Sequence, residues 1–155
     1  MDSIANVDIR KFLPHRESML MVDRLITLKD DFVKTNFLIE KNNIFLKNDL
    51  FVESGLIENI AQTCSIIAGS SYFNDGDERL ENKSQVIGYI SAIKTVEIYE
   101  LPKVNDLLVS QGTMVSRFDF ENYLTCTMKG QIFCGDKVLL ECLLNLFIKD
   151  TQHEG

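Results

Sequence analysis

Residues 55–73 read GLIENIAQTCSIIAGSSYF, and the rest of the chain is organised around them. Glu58 is the only charged side chain in the stretch, and fifteen uncharged residues follow it. Leu56, Ile57, Ile60, Ala61, Cys64, Ile67 and Ala68 recur at helical spacing on one broad face. The other face carries Gln62, Ser65 and Gly69, where a surface helix would carry several charges. The pattern predicts a helix covered nearly all round, with Ser54 as its N-cap. Such a helix is about 27 Å long, enough to cross a small domain.

The 155 residues predict one domain, 1–155, large enough for a real core. A net charge of −7 without any Lys/Arg cluster argues against a nucleic-acid partner. No apolar run approaches the ~20 residues that span a bilayer, so no membrane association is expected. The opening MDSIANVDIRKF lacks the basic-then-apolar order of a signal peptide. The four cysteines (Cys64, Cys126, Cys134 and Cys142) lie inside apolar stretches with no CxxC and no His nearby. They read as free thiols in a reducing cytoplasm, and neither a disulfide framework nor a metal site is expected. Nothing in the chain implies a cofactor.

Outward from the helix, the chain reads as strands. Residues 7–12 form a short lead-in that Pro14 breaks by pushing Leu13 towards extended geometry. Residues 19–28 (MLMVDRLITL) predict a first strand and 32–40 a second, turned at Lys29-Asp30-Asp31. Residues 41–52 read as a polar connection. Residues 74–84 (NDGDERLENKS) read as a charged surface loop without the ligand spacing of a calcium site. Residues 85–101 form a long extended run, expected to bend near 88–94. In residues 106–118 Leu108, Ser110, Gly112, Met114, Ser116 and Phe118 fall on one face. Residues 123–133 and 137–149 complete the set. In the last run Leu139, Leu143 and Phe147 lie opposite an apolar row, so both faces are partly covered. The order is β-β-α-β-β-β-β, an α+β class. An antiparallel sheet wrapped round one long central helix is the hotdog fold.

Several ordered motifs carry a resemblance. Leu13-Pro14-His15-Arg16 followed by Met19-Leu20-Met21-Val22-Asp23-Arg24 is similar to the LPHR-x-P-(F/M)-L-(L/M)-V-D-R signature of 3-hydroxyacyl-[acyl-carrier-protein] dehydratases. Leu56-Ile57-Glu58 with Ala61-Gln62 matches their (L/I)-I-E-x-x-A-Q helix segment, and Gly88 stands where they carry a strand glycine. Val104-Asn105-Asp106-Leu107 stands where they have P-G-D-x-L. The likeness spans about residues 8–149. The chain also resembles the divergent dehydratase-like hotdog proteins of aryl-polyene and flexirubin clusters, which have short loops before the helix.

The resemblance implies chemistry. In that family a His in a G-H-F-P-G loop removes the α-proton, and the helix carboxylate helps the β-hydroxyl leave as water. Imidazole titrates near neutrality and burial raises a carboxyl pKa, so both suit acid–base work. Glu58 keeps the carboxylate, whereas Asn48-Asp49 stand where Gly-His would fall. The two histidines, His15 and His153, lie in the lead motif and the C-terminal tail. In the family the lead-motif His is not the base. Glu17-Ser18 also replace an aromatic-Pro pair that gates the acyl tunnel.

Hotdog dimers share each site between subunits. A chain with Glu58 and no loop His is therefore expected to form a homodimer, or a heterodimer with a His-bearing hotdog subunit. Asp49 is the alternative base within the chain, although an ordinary Asp is a poor base for an α-proton. The substrate implied is an acyl thioester on acyl carrier protein or CoA. Backbone N–H groups at Gly55 and Leu56 are expected to polarise its carbonyl, with Gly88 beside it and Gln62 either orienting a water or padding the core. A basic docking patch on this acidic chain would draw on Lys94 and Lys103. Three other readings stay open: a hotdog thioesterase using Glu58 to activate water, a non-catalytic acyl-binding subunit, and a Glu58 merely stabilised by the helix dipole.

Overall fold

The central helix forms as α1, Glu53–Phe73. In the computed structural model, residues 7–73 and 86–150 are described. The expected loop at 74–84 and the tail histidine lie outside them. Before α1 come a 3-10 turn at Ile9–Lys11, β1 (Arg24–Leu28), β2 (Phe32–Leu38), β3 (Leu46–Lys47) and β4 (Leu50–Phe51). After it come β5 (Val86–Ile98), β6 (Leu107–Asp119), β7 (Tyr123–Cys134) and β8 (Lys137–Asp150).

Six strands make one antiparallel sheet in the order β1-β2-β6-β7-β8-β5, and β3 and β4 pair apart from it. The sheet packs on α1 through β2, β5, β6, β7 and β8. This is the hotdog fold. Leu56, Ile60, Cys64, Ile66, Ile67 and Ala68 are buried, as are Asn59, Gln62 and Thr63 on the helix's other sides. The helix is thus covered nearly all round, as its lack of charge predicts. Gly112 and Gly130 pair across β6 and β7 beneath it. A Cβ at either would come within 2.9 Å of Cys64 Sγ or 2.6 Å of Ile60 Cγ1, so both keep the sheet surface low enough for the helix.

Several boundaries differ from expectation. The helix begins at Glu53, so Ser54 lies in its first turn and is not the cap. The Val52 carbonyl receives the Gly55 and Leu56 N–H groups at 2.9 and 3.2 Å. Residues 41–52 hold a hairpin, not a plain connection. Asn48 and Asp49 at its turn have φ of 53° and 63°, values these two residue types tolerate best among non-glycines. The first strand is Arg24–Leu28 alone, because the backbone of Met19 and Met21 before it bonds to helix side chains. In β6 a register shift between Met114 and Ser116 breaks the alternation, and Phe118 turns out to solvent. The bend expected near 88–94 is present as two register shifts in β5, at Ile90/Ala92 and Ile93/Thr95.

β5 is one edge of the sheet and β1 the other. β5 pairs with β8 on one side, and Tyr89, Ile93 and Val96 are exposed along it. Tyr89 stacks on Phe147 of β8, Phe147 on Tyr123 of β7, and Tyr123 on Phe120, with ring centroids 5.2, 4.9 and 4.5 Å apart. The cysteines stand as free thiols. Burial pushes Cys126 and Cys142 up to about 11, so neither is a ready nucleophile. No helix among the described residues is long and apolar enough to cross a membrane.

Candidate active site

Glu58, Gln62 and Ser65 follow one another at steps of four and three residues, which places them along one side of α1. The lead segment crosses that side, and buried amides of the helix hold it there. Gln62 Oε1 accepts the Met21 N–H at 2.7 Å, and Gln62 Nε2 donates to the Met19 carbonyl at 2.7 Å. The same Nε2 donates to Glu58 Oε1 at 2.9 Å. One turn away, Asn59 Nδ2 donates to the Met21 carbonyl at 2.7 Å, and Ser110 Oγ donates to Asn59 Oδ1 at 2.6 Å. Gln62 is therefore neither padding nor free to orient water. It fastens the backbone of residues 19–21 and fixes one carboxylate oxygen of Glu58.

The lead segment brings His15 to the site. Leu13 is buried, Pro14 turns the chain, and Arg16 Nη1 donates to the Leu13 and His15 carbonyls at 3.0 and 2.9 Å. His15 Nε2 then stands 3.7 Å from Glu58 Oε1. Burial lowers the His15 pKa below the usual histidine range; Glu58 opposes this and Arg16 adds to it. His15, which the resemblance sets apart from the family's base in a different loop, is the histidine that the structure brings beside Glu58. The clue was there in Pro14-His15-Arg16 within a chain holding only two histidines.

A cleft with room for about one water molecule opens beside His15, lined also by Phe12, Ser65, Gly88 and Ile148. Gly88 is thus at the cleft wall. A Cβ there would lie 2.6 Å from Ile148 Cδ1. The motif's Glu17-Ser18 departure also has a geometric counterpart. Ser18 has φ of 77° in the turn that Met19 and Leu20 close onto the Arg16 carbonyl. Proline, fixed near −65°, cannot take that conformation.

The other predicted residues are not gathered here. Asp49 sits exposed at the β3–β4 turn, where its carbonyl accepts from Val104 N–H at 3.0 Å. Gly55 and Leu56 are buried, and their N–H groups are committed to Val52, so neither is free to polarise a thioester carbonyl. A Cβ on Gly55 would meet Phe51 Cζ at 2.7 Å and Phe45 Cβ at 2.8 Å, which makes it a packing residue. Lys94 stands on β5, and Lys103 bridges to Leu50 of β4. No cluster of His, Cys, Asp and Glu suited to a metal occurs among the described residues.

Residues 7–154 match the ApeP-like family, described as ApeP dehydratase. The chain is 33% identical to the 3-hydroxyacyl-[acyl-carrier-protein] dehydratase FabZ of Saccharophagus degradans, over 56% of this chain and 69% of that protein. Among solved structures it is similar to the dehydratase heterocomplex ApeI:P from Xenorhabdus doucetiae. The TM-score is 0.74 at 20% identity, covering 96% of this chain and 94% of that one. A hypothetical thioesterase with coenzyme A from Streptococcus pneumoniae matches with a TM-score of 0.58 at 12% identity, over 82% and 85% of the two chains. These two likenesses are of the fold.

Proposed function

Because the chain belongs to the ApeP-like dehydratase family, we propose that it supplies the helix carboxylate of a 3-hydroxyacyl thioester dehydratase and completes its site with a second hotdog subunit bearing the loop histidine. The observation that carries this reading is Glu58. It is the single carboxylate of the helix's inner length, half-buried and anchored through Oε1 by Gln62. The family's base is missing from its usual loop, where the Asn48-Asp49 turn stands. The FabZ relative is by name a dehydratase of acyl-carrier-protein thioesters, and ApeI:P is by name a heterocomplex.

In this reading the partner's imidazole takes the α-proton of the 3-hydroxyacyl thioester. The electron pair forms the α,β double bond, and the C–O bond breaks as protonated Glu58 hands its proton to the departing hydroxyl, which leaves as water. The edge of β5, unpaired among the described residues, is where the second subunit adds its strand. A homodimer with Asp49 as the base is the weaker form, since Asp49 is exposed. The free thiols accord with a cytoplasmic setting.

The test is hydration of a crotonyl thioester by the purified protein, alone and co-expressed with a hotdog paralogue carrying G-H-F-P. Activity confined to the mixed assembly, and lost with Glu58→Gln in this chain, is the expected result. Equal activity of the protein alone, or an assembly indifferent to Glu58→Gln, overturns it. Hydrolysis of simple acyl thioesters with no hydration would point to a thioesterase.

A further inference from the structure

His15 is the one histidine among the described residues, and it stands against the site carboxylate from within the same chain. Two nitrogen groups converge on Glu58 Oε1: Gln62 Nε2 at 2.9 Å and His15 Nε2 at 3.7 Å. The ring's other nitrogen, Nδ1, is buried and has no hydrogen-bond partner among the described residues. That asymmetry decides the tautomer. A proton on Nδ1 would be a buried donor with nothing to accept it, and a charged ring would carry the same unpaired N–H. The neutral ring with its proton on Nε2 leaves Nδ1 an unpaired acceptor but aims its one proton at the carboxylate, where an acceptor stands. The charged groups bearing on the ring are Glu58 of α1 and Arg16 of its own loop.

At 3.7 Å the contact is longer than a formed hydrogen bond. Contacts of this kind in substrate-free sites tighten when the complex forms. We propose that His15 is a positioning residue for Glu58: its Nε2–H closes onto Oε1 as an acyl thioester enters the adjoining cleft, leaving Oε2 as the oxygen presented to the departing hydroxyl. The role of Glu58 here rests on the functional reading above; the contact itself does not. His15 lines the cleft with Ser65 and Gly88, and the cleft has room for about one water molecule, so a thioester that enters has to widen it at the ring.

The chain holds only two histidines, which makes the contact directly readable. Imidazole nitrogen spectra of histidine-labelled protein contain two rings, and His15→Gln assigns them. Above pH 7 the expected form of His15 carries its proton on Nε2. Glu58→Gln, which removes the negative charge that favours the protonated ring, moves the His15 midpoint down and leaves His153 in place. A proton found on Nδ1, or a His15 midpoint unmoved by Glu58→Gln, overturns the proposal. In the assembly that hydrates a crotonyl thioester, His15→Leu is expected to lower kcat about tenfold or more with KM within about twofold. His15→Gln, which keeps a side-chain N–H, recovers most of that loss. Equal losses in both variants, or a change confined to KM, also overturn it. Coupling in the spectra with no hydration by any assembly would sink the functional reading and leave the pair standing. Hydration without coupling would do the reverse.

Discussion

Gln62 spends every hydrogen of its amide, on Met19 and Glu58, while its oxygen takes the Met21 N–H. Replacing it with Leu keeps much of the volume but strands a buried backbone donor. The expected cost is about 1–3 kcal/mol, read from a denaturant midpoint. Ser18 makes a second residue-scale test, because a positive φ excludes proline: Ser18→Pro, a step towards the family's motif, is expected to destabilise the fold, and a melting temperature equal to the parent's would refute the turn's geometry. His15 also ties stability to pH. Its folded pKa lies below its unfolded value, so the unfolded chain binds the proton first as pH falls. Stability is then full above about pH 6.5 and declines as pH falls below it. His15→Gln should flatten that decline, and a parent curve of the same slope would contradict it. Glu58 was legible in sequence because it is a lone charge on an uncharged helix. His15 was not, because its approach depends on a turn whose geometry no periodicity encodes.

Long elements show their period, and short ones do not. The helix and the strands of the second half were legible within a few residues, since thirteen or fourteen positions give alternation room to declare itself. The two-residue strands β3 and β4 have no period to read. Their only trace was Asn48-Asp49, a pair suited to a tight hairpin. That hairpin matters because Phe51 is fully buried, edge-on to Phe45 and tilted against Phe37, directly under the start of α1. Gly55 is the position that lets the helix descend onto those rings. Gly55→Ala is expected to cost about 1–3 kcal/mol through overpacking, with an unchanged thermal midpoint arguing against the close contact. At Gly88 the obstructing atom is the far end of the Ile148 side chain, so Gly88→Ala should fold normally. Its expected effect is on the cleft: weaker use of longer acyl chains by the active assembly, seen in KM against chain length.

At the scale of the whole molecule, one end of the sheet is the long strand β5, whose outer edge no described strand pairs with and along which Tyr89, Ile93 and Val96 are exposed. Such an edge calls for a neighbour. Ile93→Lys is expected to shift the assembly towards monomer in light scattering; an unaltered mass would place the contact elsewhere. The sheet and the site are also held by different means. Backbone ladders join the six strands, whereas residues 19–21 are fastened through the amides of Gln62 and Asn59. Releasing that segment breaks no strand pairing. The part of the protein carrying His15 is thus held by the two amides and by the burial of Leu13 and Met21 rather than by a strand ladder. In deuterated solvent the Met21 amide hydrogen, bonded to a side chain, is then expected to exchange ahead of those in the β7 ladders.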